Sequence, residues 1–330
     1  MKRNFKNSMG ITLIALVITI IILLILAGIS IASLTGNGLF EKARLAKERT
    51  SEIQNEEKEK LNNIETEIDQ WTTDYSHRGE IESALFGIPS TSGNGIETDP
   101  YIITNVDQLL ALANLVNGGR NFEGKWFALG NDIILDYNKN WTPIGKTKEY
   151  CFKGNFNGNN HTIKGLHFDD TSADYVGLFG YADGSILKNI NISSENSSIN
   201  AKNYVGSIAG YLNNGILENC HNSTNVYGND NIGGLIGSIS NSTVSNSTNN
   251  GNISGSYIGG IIGYLTENTA THSEIINCEN SGIISSGTHN GGICGRVYNP
   301  SGTVLIKGCS TTCLNIYGSV KTEGNLTVEN

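Results

Sequence analysis

Charged side chains are scarce in this sequence of 330 residues, and basic ones are the scarcer kind. Only 16% of the residues are charged, and 22 Lys and Arg against 31 Asp and Glu give a net charge of −9. A protein that binds nucleic acid needs a basic face to neutralise phosphates, so nucleic acid is not expected as a partner. With 40 glycines and so little charge, the polar surface must come from Asn, Ser and Thr. This composition favours a β-rich extracellular surface over a cytoplasmic enzyme.

The sequence also lacks the short motifs of common hydrolases. It contains no His-Glu-x-x-His of the zinc peptidases and no Gly-x-Ser-x-Gly nucleophile motif. Asp132 and Asp136 are four residues apart and Asp169 adjoins Asp170, but a glycosidase needs two carboxylates opposed across a cleft. We therefore predict a protein that is not an enzyme, with no catalytic, cofactor-binding or metal-binding residue. A polysaccharide lyase or hydrolase on the same fold is the alternative.

One long apolar run is present, close to the N-terminus. No charged residue occurs between Lys6 and Glu41, and the run exceeds the roughly 20 residues that span a membrane as a helix. A cleaved secretory signal has an apolar region of only about 7 to 15 residues, and a helix buried in a soluble protein is the other alternative. Residues 11–35 are therefore predicted to form a transmembrane helix.

The basic residues around this run predict its orientation. Lys2, Arg3 and Lys6 precede it, and the positive-inside rule then places the N-terminus in the cytoplasm and the bulk of the chain outside. Four basic residues also lie just after the run, so charge alone leaves the orientation open: Lys42, Arg44, Lys47 and Arg49. The expected location is the cell membrane, in a single pass, with membrane lipid as one partner.

The residues that enter the apolar run read Lys-Asn-Ser-Met-Gly, then Ile-Thr-Leu-Ile-Ala-Leu. They resemble the leader and methylation segment of type IV pilins and type II secretion pseudopilins. The resemblance implies a leader at residues 1–10, cleavage by a prepilin peptidase between Gly10 and Ile11, and methylation of Ile11. Other pilin-like subunits are the implied partners. Ala15 stands where the family carries Glu, so the resemblance implies processing more directly than assembly into a fibre.

Residues 36–75 are predicted to form a helical stalk. Ile64, Ile68 and Trp71 recur at spacings of three and four, which places them on one face of a helix. A solvated charged spacer is the alternative, because charged residues are frequent upstream. Residues 76–98 then have the turn-rich composition of a linker. The linker is expected to separate the stalk from the domain that follows.

A capping helix is predicted at about residues 105–117, within the first part of that domain, residues 99–174. Asn105 can cap the helix, with Gln108 three residues later as in a capping box. Its predicted apolar face consists of Leu109, Leu112, Ala113 and Val116. Gly118 and Gly119 follow and are expected to end it.

A glycine motif recurs five times within residues 175–330, and its last glycines are separated by 30, 27, 26 and 32 residues. Such a period indicates a solenoid, because one short unit cannot bury its own apolar face. The units lack long stretches of 3.6-residue periodicity, so helical repeats are excluded. We predict a mainly β fold, a parallel right-handed β-helix. The motif glycines are Gly177, Gly180, Gly206, Gly210, Gly233, Gly234, Gly237, Gly259, Gly260, Gly263, Gly291, Gly292 and Gly295.

Two residue types have expected roles within each unit. The glycines are expected to provide corners with positive φ and close approach between coils. Each apolar segment ends in Asn, and these Asn side chains are expected to stack in ladders. They are Asn189, Asn219, Asn246 and Asn277.

The units resemble the GLUG-motif repeats of bacterial surface adhesins and some surface peptidases. The resemblance covers about Asp99 to Gly318 and extends to the lead-in sequence Trp-Thr-Pro-Ile-Gly at residues 141–145. It implies a GLUG-type repeat array with a C-terminal cap. For the fold the resemblance is informative, and it implies no particular activity.

Three cysteines fall at one position of the repeat. Cys220, Cys278 and Cys309 are expected to stack in the interior as small apolar residues. Neighbouring coils lie about 4.8 Å apart, so Cys278 and Cys309 are within reach of a disulfide. Buried free thiols are favoured, because stacked parallel residues seldom present the dihedral that a disulfide requires.

Taken together, the sequence predicts a membrane-anchored, pilin-like bacterial surface protein that displays a β-helix for adhesion or surface structure. Its expected ligand is a glycan or a protein surface. Two alternatives stay open. One is the carbohydrate-active enzyme, and the other is a minor pseudopilin of a secretion or pilus apparatus.

Overall fold

The computed structural model describes residues 15–25, 44, 47–63, 93–266, 271–285, 289–299, 302–312, 317–322 and 325–329. Contacts between Cα atoms divide the chain into two units, Met1–Ser76 and His77–Asn330. In the first unit, residues 15–25 and 47–63 are helical. Among the described residues, no helix is both long enough and apolar enough to cross a membrane. The leader at 1–10, most of the predicted span at 11–35 and most of the linker at 76–98 lie outside the described residues.

The second unit is a parallel β-helix, as the repeat predicts. The chain passes through five short strands in each full coil, and the equivalent strands of successive coils pair in parallel to form five sheets. We number the sheets 1 to 5 in the order in which the chain reaches them after Gly184. Sheet 2 has seven strands, so the solenoid has about seven coils.

Sheets 1 and 2 are the longest. Sheet 1 contains Tyr101–Ile103, Trp126–Leu129, Asn155–Asn157, Ile186–Lys188, Ile216–Glu218, Thr243–Ser245, His272–Ile276, Thr303–Lys307 and Asn325–Glu329. Sheet 2 contains Ile133–Ile134, Thr162–Lys164, Asn191–Ile192, His221–Asn222, Thr248–Asn249, Glu279–Asn280 and Ser310–Thr311.

The other three sheets complete each coil. Sheet 3 contains His167–Asp169, Ser198–Asn200, Asn225–Tyr227, Ile253–Ser254 and Ile284–Ser285. Sheet 4 contains Asp174–Val176, Asn203–Val205, Asp230–Gly233, Tyr257–Gly259 and His289–Gly291. Sheet 5 contains Phe179–Asp183, Ala209–Asn213, Ile236–Ser240, Ile262–Thr266, Cys294–Asn299 and Tyr317–Thr322.

The register of sheet 5 follows the spacing of the glycine motif. Phe179 pairs with Ala209, Ala209 with Ile236, and Ile236 with Ile262. Each of these residues precedes the last glycine of its motif, so one repeat corresponds to one coil. Because the register is in phase, apolar side chains stack on apolar side chains in the interior, as Leu187, Leu217 and Val244 do in sheet 1. Full burial of one such side chain contributes about 1.5 to 3 kcal/mol.

The predicted helix is present at Val106–Asn117, in the first coil. The Asn105 side chain accepts a hydrogen bond from the Gln108 backbone N–H at 3.0 Å, and the Gln108 side chain accepts one from the Thr104 N–H at 2.7 Å. The four predicted apolar residues are fully buried and belong to the same core as the sheets. The capping residues and the buried face are therefore confirmed.

Asparagine ladders run along the solenoid, as predicted. At the turn between sheets 1 and 2, the Asn219 Nδ2 donates to Asn189 Oδ1 at 2.7 Å, and the Asn277 Nδ2 donates to Asn246 Oδ1 at 3.4 Å. All four residues have φ between 49° and 56°. Asn tolerates this left-handed region better than most residues, because its short side chain can hydrogen-bond locally. In these four coils, the sheet 1 strand therefore ends directly before the Asn residue that belongs to the ladder.

The thirteen motif glycines have one of their two expected roles. Close approach is confirmed, since a Cβ at Gly177 would lie 2.6 Å from the Gly206 carbonyl oxygen. The expectation of positive φ is wrong for these glycines, because none of them has φ in the left-handed region. In the described part of the repeat array, Asn and Tyr occupy many of the left-handed positions instead. The motif glycines are required for space and not for backbone conformation.

Candidate ligand-binding surface

Two columns of side chains lie beside each other on sheets 4 and 5. The first column consists of Tyr175, Tyr204, Asn231, Tyr257 and His289, and the second of Tyr181, Tyr211, Ser238, Tyr264 and Arg296. Neighbours within a column belong to successive coils, which lie about 4.8 Å apart. We call the six tyrosines of these columns the tyrosine surface. Five of them are half-buried, and Tyr181 is buried.

Four rings form a tightly packed block at one end of the tyrosine surface. Tyr175 stacks on Tyr204 with ring centroids 4.9 Å apart, and Tyr181 stacks on Tyr211 with centroids 4.8 Å apart. The two stacks meet edge to face, with the Tyr175 and Tyr181 centroids at 5.7 Å. Each aromatic pair contributes about 0.5 to 1.5 kcal/mol beyond its buried area. These contacts hold the rings in place before any ligand arrives.

The other end of the surface carries a positive charge. The Arg296 guanidinium lies over Tyr257 and Tyr264, at 5.2 Å and 5.4 Å from the two ring centroids. His289 stacks on Tyr257 with centroids 4.8 Å apart. Arginine over an aromatic face is a stabilising arrangement that leaves its N–H donors available at the ring edges. This end therefore offers both aromatic and hydrogen-bonding groups.

The coil between these two ends contributes small polar side chains. Asn231 and Ser238 occupy the positions at which the neighbouring coils have tyrosines. Ser238 is fully buried, and among the described residues its Oγ has no hydrogen-bond partner, although the Tyr211 hydroxyl lies near it. Buried polar groups in proteins are nearly always hydrogen-bonded. The Tyr211 hydroxyl is the group placed to supply this bond, so Ser238 belongs to the packing beneath the rings.

The backbone under the surface is in a costly conformation. Tyr175 has φ 59° and Tyr204 has φ 56°, and the left-handed region is unfavourable for a bulky side chain by roughly 1 to 2 kcal/mol. A Cβ on Gly210 would lie 2.6 Å from the Tyr175 carbonyl carbon, so the motif glycine packs directly on the left-handed tyrosine of the preceding coil. Backbone strain of this kind is concentrated at functional sites.

Burial keeps the tyrosine hydroxyls protonated. It raises the pKa of Tyr211 to about 12 and raises the pKa of Tyr175, Tyr204 and Tyr264 above the usual tyrosine value. The nearby Ser238 hydroxyl opposes the pKa shift at Tyr211. At neutral pH the surface therefore presents neutral hydroxyls that can both donate and accept hydrogen bonds.

Three of the aspartates considered from the sequence have structural contacts, Asp132 with the next coil and Asp136 and Asp170 within local turns. Asp132 accepts a hydrogen bond from the Thr162 backbone N–H at 2.9 Å, and this bond holds the pKa of its carboxyl below the usual value. Asp136 accepts one from the Asn138 N–H at 3.1 Å and pairs with Lys139 at 3.1 Å, which also lowers its pKa. Asp170 accepts a hydrogen bond from the Ser172 N–H at 2.9 Å. These contacts stabilise loops.

Two cavities lie elsewhere on the β-helix. One, of about 510 Å³, is beside the helix Val106–Asn117 and has Asp107, Asp136 and Trp141 among its lining residues. The other, of about 320 Å³, lies on sheet 3 and is lined by His167, Phe168, Asp169, Ser198, Asn200 and Tyr227. In the second cavity Asp169 accepts a hydrogen bond from the Asn200 Nδ2 at 2.8 Å. That cavity has a single carboxylate among its lining residues, whereas a glycosidase uses two.

The structure and the sequence-predicted site residues agree only in part. Gly10 and Ile11, the predicted cleavage position, lie outside the described residues. The motif glycines lie along the solenoid, and three of them, Gly180, Gly210 and Gly237, pack against the backbone of Tyr175 or Tyr204. The surface itself was not among the sequence predictions. A signal was available, because Tyr precedes Val-Gly at 175 and 204 and follows the motif glycine at 181 and 211.

Comparison with known proteins gives partial similarities. No protein-family model matches the chain. Over 153 residues, 44% of this chain, it is 33% identical to Halomucin of Haloquadratum walsbyi, of which the match covers 2%. Over 152 residues, again 44% of this chain, it is 29% identical to an Evansella cellulosilytica protein provisionally described as a Gly-rich membrane protein, of which 16% is covered. The chain thus spans a small part of the length of these relatives.

A similar fold occurs in a solved structure. It is the crystal structure of a Bacteroides ovatus protein provisionally described as an immunoglobulin A1 protease, with a TM-score of 0.51 and 23% identity. The superposition covers 72% of this chain and 69% of that chain. At this identity the likeness shows the fold alone. The class of protein that the fold defines is therefore the parallel β-helix proteins.

Proposed function

We propose that this chain is a cell-surface protein that displays its β-helix for adhesion, and that the tyrosine surface binds a glycan. The observation that carries the proposal is the pair of aromatic columns on sheets 4 and 5, with left-handed backbone at Tyr175 and Tyr204. Five of the six rings are half-buried, so part of each ring is open to solvent, and apolar groups clustered at a surface mark interaction sites. The left-handed residues turn the chain between sheets 4 and 5, and this turn brings the two columns side by side.

A saccharide matches the chemistry of this surface. A sugar ring has apolar C–H faces and a rim of hydroxyl groups, and the surface has aromatic rings interrupted by the polar side chain of Asn231. The columns run along the solenoid through five coils, so the ligand is an extended saccharide and not a single sugar. The net charge of −9 repels acidic polymers in general, and a neutral glycan fits better than a highly acidic one.

The first prediction concerns ligand binding. The full chain is expected to bind at least one neutral oligosaccharide on a glycan array, and Tyr204→Ala combined with Tyr211→Ala is expected to weaken that binding about tenfold or more. The reason is that the two rings lie next to Asn231 and Ser238, and a loss of about 1.4 kcal/mol corresponds to tenfold. Calorimetric titration of the array hit measures the change.

The matched control for this experiment is Tyr137→Ala, because Tyr137 is 50% exposed and lies outside the two columns. It is expected to leave the affinity unchanged. Binding no better than background by the parent chain, or equal affinity of the double variant and the parent, would count against the proposed site.

A polysaccharide hydrolase is the second candidate function. It is supported by the cavity beside the helix Val106–Asn117, where Asp107 and Asp136 line the same space. The lowered pKa of Asp136 suits a nucleophile or base, and a general acid needs a raised pKa. Shortened saccharides after incubation with the full chain would favour this candidate over simple adhesion.

The anchoring of the protein is also part of the proposal. We propose that the apolar run at residues 11–35 holds the protein at the membrane after cleavage between Gly10 and Ile11. The motif around Gly10 supports this, and the minor-pseudopilin alternative shares the same processing.

The second prediction tests this processing. The protein purified from cells that contain a prepilin peptidase is expected to start at a methylated Ile11, as measured by the mass of its N-terminal peptide. Gly10→Leu is expected to leave the leader in place, because the leaders that this segment resembles end in Gly at the cut. Met9→Leu is the matched control and is expected to be cleaved. An N-terminal peptide that begins at Met1 in the unsubstituted chain would support a plain anchor instead.

A further inference from the structure

The chain has a pair of thiols on neighbouring coils, independent of the tyrosine surface. Ile276 pairs with Lys307 and Glu279 pairs with Ser310, so Cys278 and Cys309 stand at equivalent positions of adjacent coils. Coils about 4.8 Å apart place the two Cα atoms within the range seen for disulfides, roughly 4.4 to 6.8 Å. Both cysteines are free in the structure. They are therefore placed to react with each other.

The environments of the two thiols differ. Cys278 is 1% exposed, whereas Cys309 is half-buried and can be reached by solvent. The backbone N–H of Cys278 donates a hydrogen bond to the Cys309 Sγ at 3.4 Å. At the same repeat position in an earlier pair of coils, the Cys220 N–H donates to the Ser247 Oγ at 3.0 Å. At this position of the repeat, the backbone N–H donates to the side chain of the next coil. The acceptor is a serine oxygen at Ser247 and a sulfur at Cys309.

This hydrogen bonding favours the charged form of one thiol. The interaction with Cys278 lowers the pKa of Cys309 to about 7, and the same interaction, together with burial, raises the pKa of Cys278. Burial is the main cause that raises the pKa of Cys220 and of Cys294 to about 12, and it also raises the pKa of Cys151. Among the five described cysteines, Cys309 combines access with thiolate character, which is what makes a cysteine reactive.

We propose that Cys309 is a modification site for low-molecular-weight disulfides, with Cys278 as the thiol that resolves the adduct. The Cys309 thiolate attacks one sulfur of the reagent, forming a mixed disulfide and releasing one small thiolate. Cys278 then gives its proton to the small thiolate released in the first step and attacks the Cys309 sulfur, which releases the second small thiolate and joins the two coils. The reagent disulfide is reduced to two thiols, and the protein dithiol is oxidised to one disulfide.

The third prediction tests this site with dithiobis(nitrobenzoate), an aromatic disulfide whose released thiol is coloured. The full chain carries Cys313→Ser, so that this sixth cysteine does not add to the signal. Two equivalents of coloured thiol are expected, the first released fast and the second more slowly because Cys278 is buried, and the protein should lose two hydrogens in mass without keeping an adduct. With Cys278→Ser, one equivalent is expected, and the adduct should remain on the peptide that contains Cys309.

The remaining variants separate the proposal from general thiol reactivity. Cys309→Ser should slow the fast release at least about tenfold, and Cys220→Ser should leave it unchanged, since Cys220 is fully buried. Peptide mapping of the chain that retains Cys278 and Cys309 covers the case in which Cys309→Ser does not fold. A fast phase that survives Cys309→Ser, an adduct mapped to another cysteine, or a stable adduct beside a free Cys278 would overturn the proposal.

Discussion

Replacing Gly210 by Ala is expected to lower the free energy of unfolding by about 3 to 5 kcal/mol. The added Cβ would lie 2.6 Å from the Tyr175 carbonyl carbon and 2.7 Å from the Gly180 carbonyl oxygen. Both atoms belong to the backbone, so no side-chain rotation can relieve the overlap. Two coils must move apart, and the stacking of Tyr175 on Tyr204 would be lost with them. Urea denaturation measures the change, with the slope of the transition showing whether the unfolded surface is comparable.

Gly184→Ala is the matched control for this prediction. Gly184 has φ 68°, and a Cβ added there would have no heavy atom within 4 Å to obstruct it. The cost of this substitution is the left-handed conformation alone, about 1 to 2 kcal/mol. If Gly210→Ala is no more destabilising than Gly184→Ala, then close packing is not the role of the motif glycines.

The course of the solenoid could be predicted from the sequence because its signal is periodic. The steps between Gly180, Gly210, Gly237, Gly263 and Gly295 are the lengths of successive coils, since the residue before each glycine pairs with its equivalent in the next coil. Periodicity determines which residues stack. The helix Val106–Asn117 was likewise predictable, because its cap and its buried face are local features of the sequence.

The candidate site could not be predicted in the same way. Residues six or seven apart, such as Tyr175 and Tyr181 or Tyr204 and Tyr211, meet only because the chain turns between sheets 4 and 5. The angle of that turn depends on the left-handed φ of Tyr175 and Tyr204. Tyrosine seldom adopts this conformation, so a tyrosine in the sequence does not predict it. The position of a residue within the repeat predicts which side chains share a column. It does not predict which two columns lie beside each other.

The same limit applies to the cysteines. Their shared repeat position correctly predicted that Cys220 and Cys278 are buried. The difference between Cys278 and Cys309 arises from accessibility and from the direction of one N–H group, neither of which the repeat specifies. The backbone of a solenoid is nearly the same in every coil. Differences in reactivity between equivalent residues therefore arise from coils whose side chains differ from the repeat pattern.

Replacing Asn249 by Ala is expected to have an effect as large as that of Gly210→Ala, for a different reason. Asn222, Asn249 and Asn280 form a second ladder that is fully buried inside sheet 2. The Asn249 Nδ2 donates to Asn280 Oδ1 at 2.8 Å and to the Gly251 carbonyl at 2.9 Å, while its Oδ1 accepts from Asn222 Nδ2 at 2.7 Å. Removing the amide takes away all these bonds and leaves buried polar groups without partners, each of which costs about 1 to 3 kcal/mol.

The expected loss is about 3 to 5 kcal/mol in the free energy of unfolding, measured by urea denaturation. Asn191→Ala is the matched control, because Asn191 is on the same sheet but half-buried, with its Nδ2 donating to the Asn160 carbonyl at 2.8 Å. That substitution should cost about 1 kcal/mol, since water can replace the lost bond. Equal costs at the two positions would mean that the interior amides are dispensable. A larger cost at Asn249 would mean that the core of this β-helix depends on a polar ladder as much as on its apolar stacks.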